Sequence, residues 1–121
     1  MDYKTFINGL NKQEIDNSNV QEIKKMYSTD INAEVAYVIS RLDETVFFDS
    51  DGFLRLLSFQ EVLDAEADFN VVLVSNGILP LFDLGDNDYL SFDFSKGMWC
   101  KFNIVDEIGF AYKSHLSEYN L

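Results

Sequence analysis

From Tyr89 to Ile104 the side chains alternate with period two, and no other stretch constrains the fold so tightly. Leu90, Phe92 and Phe94 face one way while Tyr89, Ser91 and Asp93 face the other. Past Ser95-Lys96-Gly97, Met98, Cys100, Phe102 and Ile104 alternate against Trp99, Lys101 and Asn103. Successive side chains of a strand point to opposite faces of a sheet, so this pattern predicts a β-hairpin. Trp99 stands on the face opposite Met98 and Cys100. Two placements stay open for it: exposed, as an anchor for a partner, or buried in a second core under a helix across the sheet.

Upstream the period changes. Tyr3, Phe6, Ile7 and Leu10 follow helical spacing, and Gly9 and Asn11 are expected to end that first helix. Ser18 with Gln21 reads as a capping box opening a second helix that turns Val20, Ile23, Met26 and Tyr27 inward. Asp30 is the expected cap of a third, along which Ile31, Val35, Val38, Ile39 and Leu42 align. Residues 46–48 and 53–57 read as two strands joined at Asp49-Ser50-Asp51-Gly52. Ser58 with Glu61 forms another capping box and predicts a helix over about residues 59–67, with Phe59, Val62 and Leu63 inward and Glu61, Asp64 and Asp68 outward. Residues 71–74 and 78–82, around the turn pair Asn76-Gly77, read as central strands. Pro80, which lacks an N–H, is expected at an edge or bulge. Ser114 is expected to cap a short terminal helix through Tyr119. Helices first, then strands with one helix inserted, predict an α+β fold: a mainly antiparallel sheet flanked by helices, as a single domain spanning 1–121.

Charge then narrows the function. Between Asp43 and Asp93 stand twelve acidic side chains and one basic one, Arg55, in a chain of net charge −12. Such a field repels nucleic acid and anionic membrane and steers a basic partner toward itself, although acidity also serves plain solubility. The candidate partner-binding residues are Asp49, Asp51, Glu61, Asp64, Glu66 and Asp68, with Tyr89 and Trp99 on the sheet. No apolar run approaches the roughly 20 residues of a membrane helix and the N-terminus lacks a signal-peptide layout, which predicts a cytoplasmic protein.

Chemistry is sparsely supplied. Asp83, Asp86, Asp88 and Asp93 offer oxygens to a hard cation, but their spacing does not fit the twelve-residue calcium loop. They read as a turn in which Gly85 takes an unusual backbone angle and Asp86 and Asn87 bond their own backbone, so no metal or cofactor is expected. The sole histidine is His115, and neither a nucleophile elbow nor a phosphate-cradling loop is present. No catalytic residue is singled out, and the chain reads as a non-enzyme. Cys100, the one cysteine, reads as a small buried side chain.

One order of segments is distinctive. A strand and helix start, Phe53-Leu54-Arg55-Leu56-Leu57-Ser58-Phe59-Gln60-Glu61-Val62, precedes Leu79-Pro80-Leu81-Phe82-Asp83-Leu84-Gly85-Asp86-Asn87-Asp88-Tyr89, then a strand ending in Phe92-Asp93, then residues 114–119. This order, with Gly85, Asp86 and Asp88 in its turn, resembles the SUKH superfamily, which includes fungal cell-wall assembly regulators and many bacterial immunity proteins against polymorphic toxins. The resemblance spans roughly residues 45 to 120. It implies a central, mainly antiparallel sheet flanked by helices. It also implies stoichiometric inhibition, by direct binding, of a toxin, often a nuclease or deaminase, and the acidic stretch points to a basic domain of it. A regulatory or scaffold module without a toxin is the alternative. Neither resemblance nor charge fixes an oligomeric state.

Overall fold

The structure is a computed structural model that describes residues 1–48 and 54–121. Three helices come first, each opened by an acceptor side chain that takes an otherwise unpaired N–H of the first turn. Asp2 caps α1 (Tyr3–Gly9) through Thr5 N, Asp16 caps α2 (Asn17–Tyr27) through Asn19 N, and Asn32 caps α3 (Ala33–Ile39) through Val35 N. The expected caps Ser18 and Asp30 therefore give way. Asp16 meets the N–H three residues on and starts its helix two residues ahead of the Ser18 reading, while the Asp30 carboxylate instead pairs with Lys24 at 3.2 Å. The α1 chain runs on into a short 3-10 helix, Leu10–Lys12.

Among the described residues five strands then form one antiparallel meander in the order β1-β2-β3-β4-β5. They are β1 (Arg55–Leu56), β2 (Ile78–Gly85), β3 (Asp88–Asp93), β4 (Met98–Asn103) and β5 (Ile108–Lys113), with α4 (Phe59–Phe69) between the first two. The expected hairpin at 46–57 survives as a bridge between Phe47 and Arg55, with Phe48 N donating to Leu54 O and Leu56 N to Val46 O. Its expected turn at 49–52 lies outside the described residues. Pro80 sits in β2 beside a register shift between Pro80 and Phe82, the bulge that its missing N–H calls for.

Residues 71–74 are not a strand. The N–H groups of Leu73 and Val74 both donate to Glu66 Oε1, at 2.8 and 3.0 Å, and Val71 N donates to Glu66 O. A segment with three of its four backbone donors already taken by the preceding helix cannot sustain a ladder, so its apolar run buries Val71 and Leu73 from a turn. The C-terminal helix also shrinks to a 3-10 turn, Leu116–Glu118, preceded by His115 rather than capped by Ser114.

The sheet is covered on both faces. On one, α1, α2 and α3 pack over Leu79, Phe82, Leu90, Phe92 and Trp99, with Tyr3, Phe6, Phe48 and Phe82 meeting edge-on at ring separations of 5.1 to 6.3 Å. On the other, Ala65 of α4 with Val71 and Leu73 covers Ile78, Cys100 and Phe102. Two buried tyrosines tie distant parts of the chain: Tyr3 Oη donates to Leu116 O at 2.7 Å and Tyr27 Oη to Ile78 O at 2.8 Å.

Candidate protein-binding surface

The acidic stretch is organised around α4. Ser58 Oγ accepts from Glu61 N at 3.1 Å and the Glu61 carboxylate accepts from Ser58 N at 3.0 Å, closing the expected capping box. The same carboxylate takes both terminal nitrogens of Arg55 at 2.7 Å. These bonds to Arg55, joined by those from Ser58, outweigh burial and hold the Glu61 carboxyl down to about 2. Arg55 also reaches Asp83 Oδ2 at 3.8 Å.

Register extends that pairing across the sheet. Arg55 lies opposite Asp83, Asp83 opposite Tyr89, and Tyr89 opposite Phe102, so one cross-strand rank runs over four strands. Helix α4 lies along this rank, with Glu61 over Arg55 at its start and Phe69 stacked on Tyr89 at its end, ring centroids 4.7 Å apart. The α4 acids and half-buried Tyr89 therefore share one side of the molecule.

Within that group the roles differ. Glu61 caps and pairs, and Glu66 clamps the loop that follows, its carboxyl held below the usual range by the N–H groups of Leu73 and Val74. Asp64, bonded only by Gln60 Nε2 at 2.9 Å, and Asp68 stand in solvent. Asp49 and Asp51 lie outside the described residues.

Trp99 is corrected. Its ring is fully buried, edge-on to Phe92 at 5.2 Å, and its Nε1 donates to Glu34 Oε1 at 2.5 Å. The reason is that both faces of the sheet are covered, so alternation separates two cores rather than a core from solvent. Trp99 anchors α3 to β4 and offers no surface to a partner. Glu34, which no spacing marked, is the pivot: it also accepts from Leu116 N at 3.3 Å, with His115 Nδ1 at 3.9 Å.

The turn at Gly85 is a two-residue hairpin. Asp86 and Asn87 both have positive φ, 51° and 66°, following Gly85 at 83°, the geometry whose twist matches the flanking strands. Asp83 Oδ1 accepts from Gly85 N at 2.9 Å and so serves the turn, while Asp88 Oδ1 accepts from Asn103 Nδ2 at 2.8 Å and ties β3 to β4. Among the described residues no three acidic, His or Cys side chains form a group that could hold a metal.

A cleft of about 180 Å³ opens between the end of α3 and the start of α4, lined by Asp43, Glu44, Phe47, Arg55 and Glu61 among others. Sequence reading had Asp43 and Glu44 in the acidic stretch but did not single them out, because only the fold brings them beside α4. Cys100 is buried, and burial pushes its thiol up to about 12, which removes it as a nucleophile at neutral pH. Among the described residues no helix is long and apolar enough to cross a membrane. Comparison of the chain with known protein families, with curated proteins and with solved structures returns no match in any of the three.

Proposed function

We propose that this chain is a SUKH-type immunity protein that binds a basic toxin domain, a nuclease or another enzyme acting on nucleic acid, and blocks it without catalysis of its own. One observation carries the reading: Asp64 and Asp68 on α4, with Asp86 in the turn after β2, face solvent and make no ion pair among the described residues. Carboxylates left unpaired on a surface give up no existing ion pair on meeting a basic groove, and they take the positions that phosphates of the substrate would occupy. The exposed ring of Phe47, at the cleft beside α4, supplies apolar contact next to the charge.

The experiment is co-expression with the C-terminal domain encoded by the neighbouring gene, followed by co-purification and a protection assay. The chain is expected to co-purify at one to one and to protect, while a combined Asp64→Lys and Asp68→Lys variant melts at the wild-type temperature and fails to protect. Full protection by that variant would move the interface off α4. A chain that captures no such domain would favour a regulatory or scaffold module.

A further inference from the structure

Residues 94–121 hold three cations, Lys96, Lys101 and Lys113, and three anions, Asp106, Glu107 and Glu118, so the net charge of −12 lies entirely in the preceding residues. This neutral part carries the edge strand β5, whose two faces differ. On one, Tyr112 folds back over Gly109, where an added Cβ would meet the Tyr112 hydroxyl oxygen at 2.4 Å, and Tyr112 Oη donates to Asp93 Oδ2 at 3.1 Å. On the other, shared with Lys101 and Trp99, the helices cover Trp99 but stop short of the edge. There Ile108 and Phe110 are 58% and 41% exposed, and Val105 in the loop before the strand is 68% exposed. Apolar side chains gathered on an edge strand are a surface for association.

We propose that this face of β5 packs against the same face of a second copy of the chain, the two strands running antiparallel about a two-fold axis near Phe110. Charge selects the occupant. A basic partner is drawn to the acidic side, whereas a second copy meeting this patch encounters no net charge. The strand is also self-complementary, since it is entered through Asp106 and Glu107 and ends in Lys113. Glu107 and Lys113 are equally far from Phe110 along the chain, so antiparallel apposition places each opposite the other on the partner copy, as a two-fold contact requires. Both are exposed and neither is in an ion pair among the described residues.

Backbone conformation agrees. The loops after Asp93 and Asn103 are built alike, with Asp93 Oδ1 and Asn103 Oδ1 each accepting from the backbone two and three residues on. The first closes with Gly97 at φ 65°, the second with Glu107 at φ 56°. The chain thus places a carboxylate where a glycine would sit with less strain. The contact is made by side-chain faces and does not extend the sheet, because the Ala111 carbonyl accepts from Tyr119 Oη at 2.6 Å and a register shift interrupts the pairing beside it.

Sedimentation velocity on the whole chain tests this. A patch of this size is at the weak end of stable interfaces, so the mass is expected to rise from one chain toward two between about 10 µM and about 1 mM. Phe110→Thr, with its melting temperature checked, is expected to weaken the dimer at least ~10-fold. Glu107→Lys is expected to weaken it as well, and the addition of Lys113→Glu to restore it. If Phe110→Thr does not fold, the charge swap decides, since it alters only exposed groups. A wild type of single-chain mass at 1 mM overturns the proposal, as does a dimer that neither Phe110→Thr nor Glu107→Lys affects.

Discussion

Ala111 occupies the left-handed region at φ 52° inside a strand, a conformation that glycine adopts freely and that costs an alanine about 1–2 kcal/mol. It is held there by the irregular pairing between Trp99 and Lys101 and by the Tyr119 hydroxyl on its carbonyl. Ala111→Gly relieves that strain but gives about 0.5–1 kcal/mol back to the greater freedom of the unfolded chain. A net rise of about 2 to 5 °C in melting temperature is expected. Glu61 works the other way. Its folded carboxyl titrates at about 2, below the ordinary 4.5, so the stability it adds is present above pH 4.5 and is lost as pH falls toward 2. Because the side chain is 42% exposed, solvent screening reduces this to about 1–2 kcal/mol. Acid unfolding of a Glu61→Gln variant should therefore converge with wild type near pH 2 and separate from it above pH 4.5. Equal separation at both ends would assign the loss to something other than this ionisation. Reversal at Glu61 also breaks the capping box, so a triple reversal of Glu61, Asp64 and Asp68 mixes folding with binding. Only Asp64 and Asp68 report on the surface alone.

Among the elements, α4 is the one whose sequence and structure agree most closely, since its capping box and inward Val62 are local facts that a single helical turn displays. The loop after it is the reverse case. The run Val71-Val72-Leu73-Val74 has strand composition, yet Glu66 claims two of its N–H groups from a turn away in the helix. Propensity counts side chains and does not see where a carboxylate will lie. Glu66→Ala leaves the Leu73 and Val74 donors without that acceptor and is expected to cost about 1–3 kcal/mol. Amide exchange at Leu73 and Val74 should accelerate well beyond that of β3. Unchanged exchange there would mean that the burial of Leu73, not the carboxylate, holds the loop. Helix caps were legible as a type and not as a position, because Asp16, Ser18, Asp30 and Asn32 are all competent acceptors and packing chooses among them.

For the whole molecule, the proposed binding depends on a field rather than on a contact. Exposed charges are screened beyond about 8 Å at physiological ionic strength, so the association rate with a basic toxin domain should fall by at least ~10-fold from low to high salt while the dissociation rate changes little. A rate indifferent to salt would leave the charge to solubility. The proposed self-association through β5, resting on apolar contact with one charge pair per side, should respond far less. By itself the sequence determined the succession of the four helices, the hairpin of alternating residues, the acidic stretch and the turn at Gly85, because each is written in spacings of a few residues; it placed a strand at residues 71–74, where none forms, and did not mark β5. It did not determine which face of the β4 strand meets solvent. Trp99 and Cys100 are both buried, in different cores, because α1, α2 and α3 cover one face of the sheet and α4 with the loop after it covers the other. Only the tertiary structure decided that, as it decided that Glu61 and Glu66 are engaged while Asp64 and Asp68 face solvent with no ion pair among the described residues: burial and pairing depend on what distant segments bring alongside, which short-range pattern does not encode.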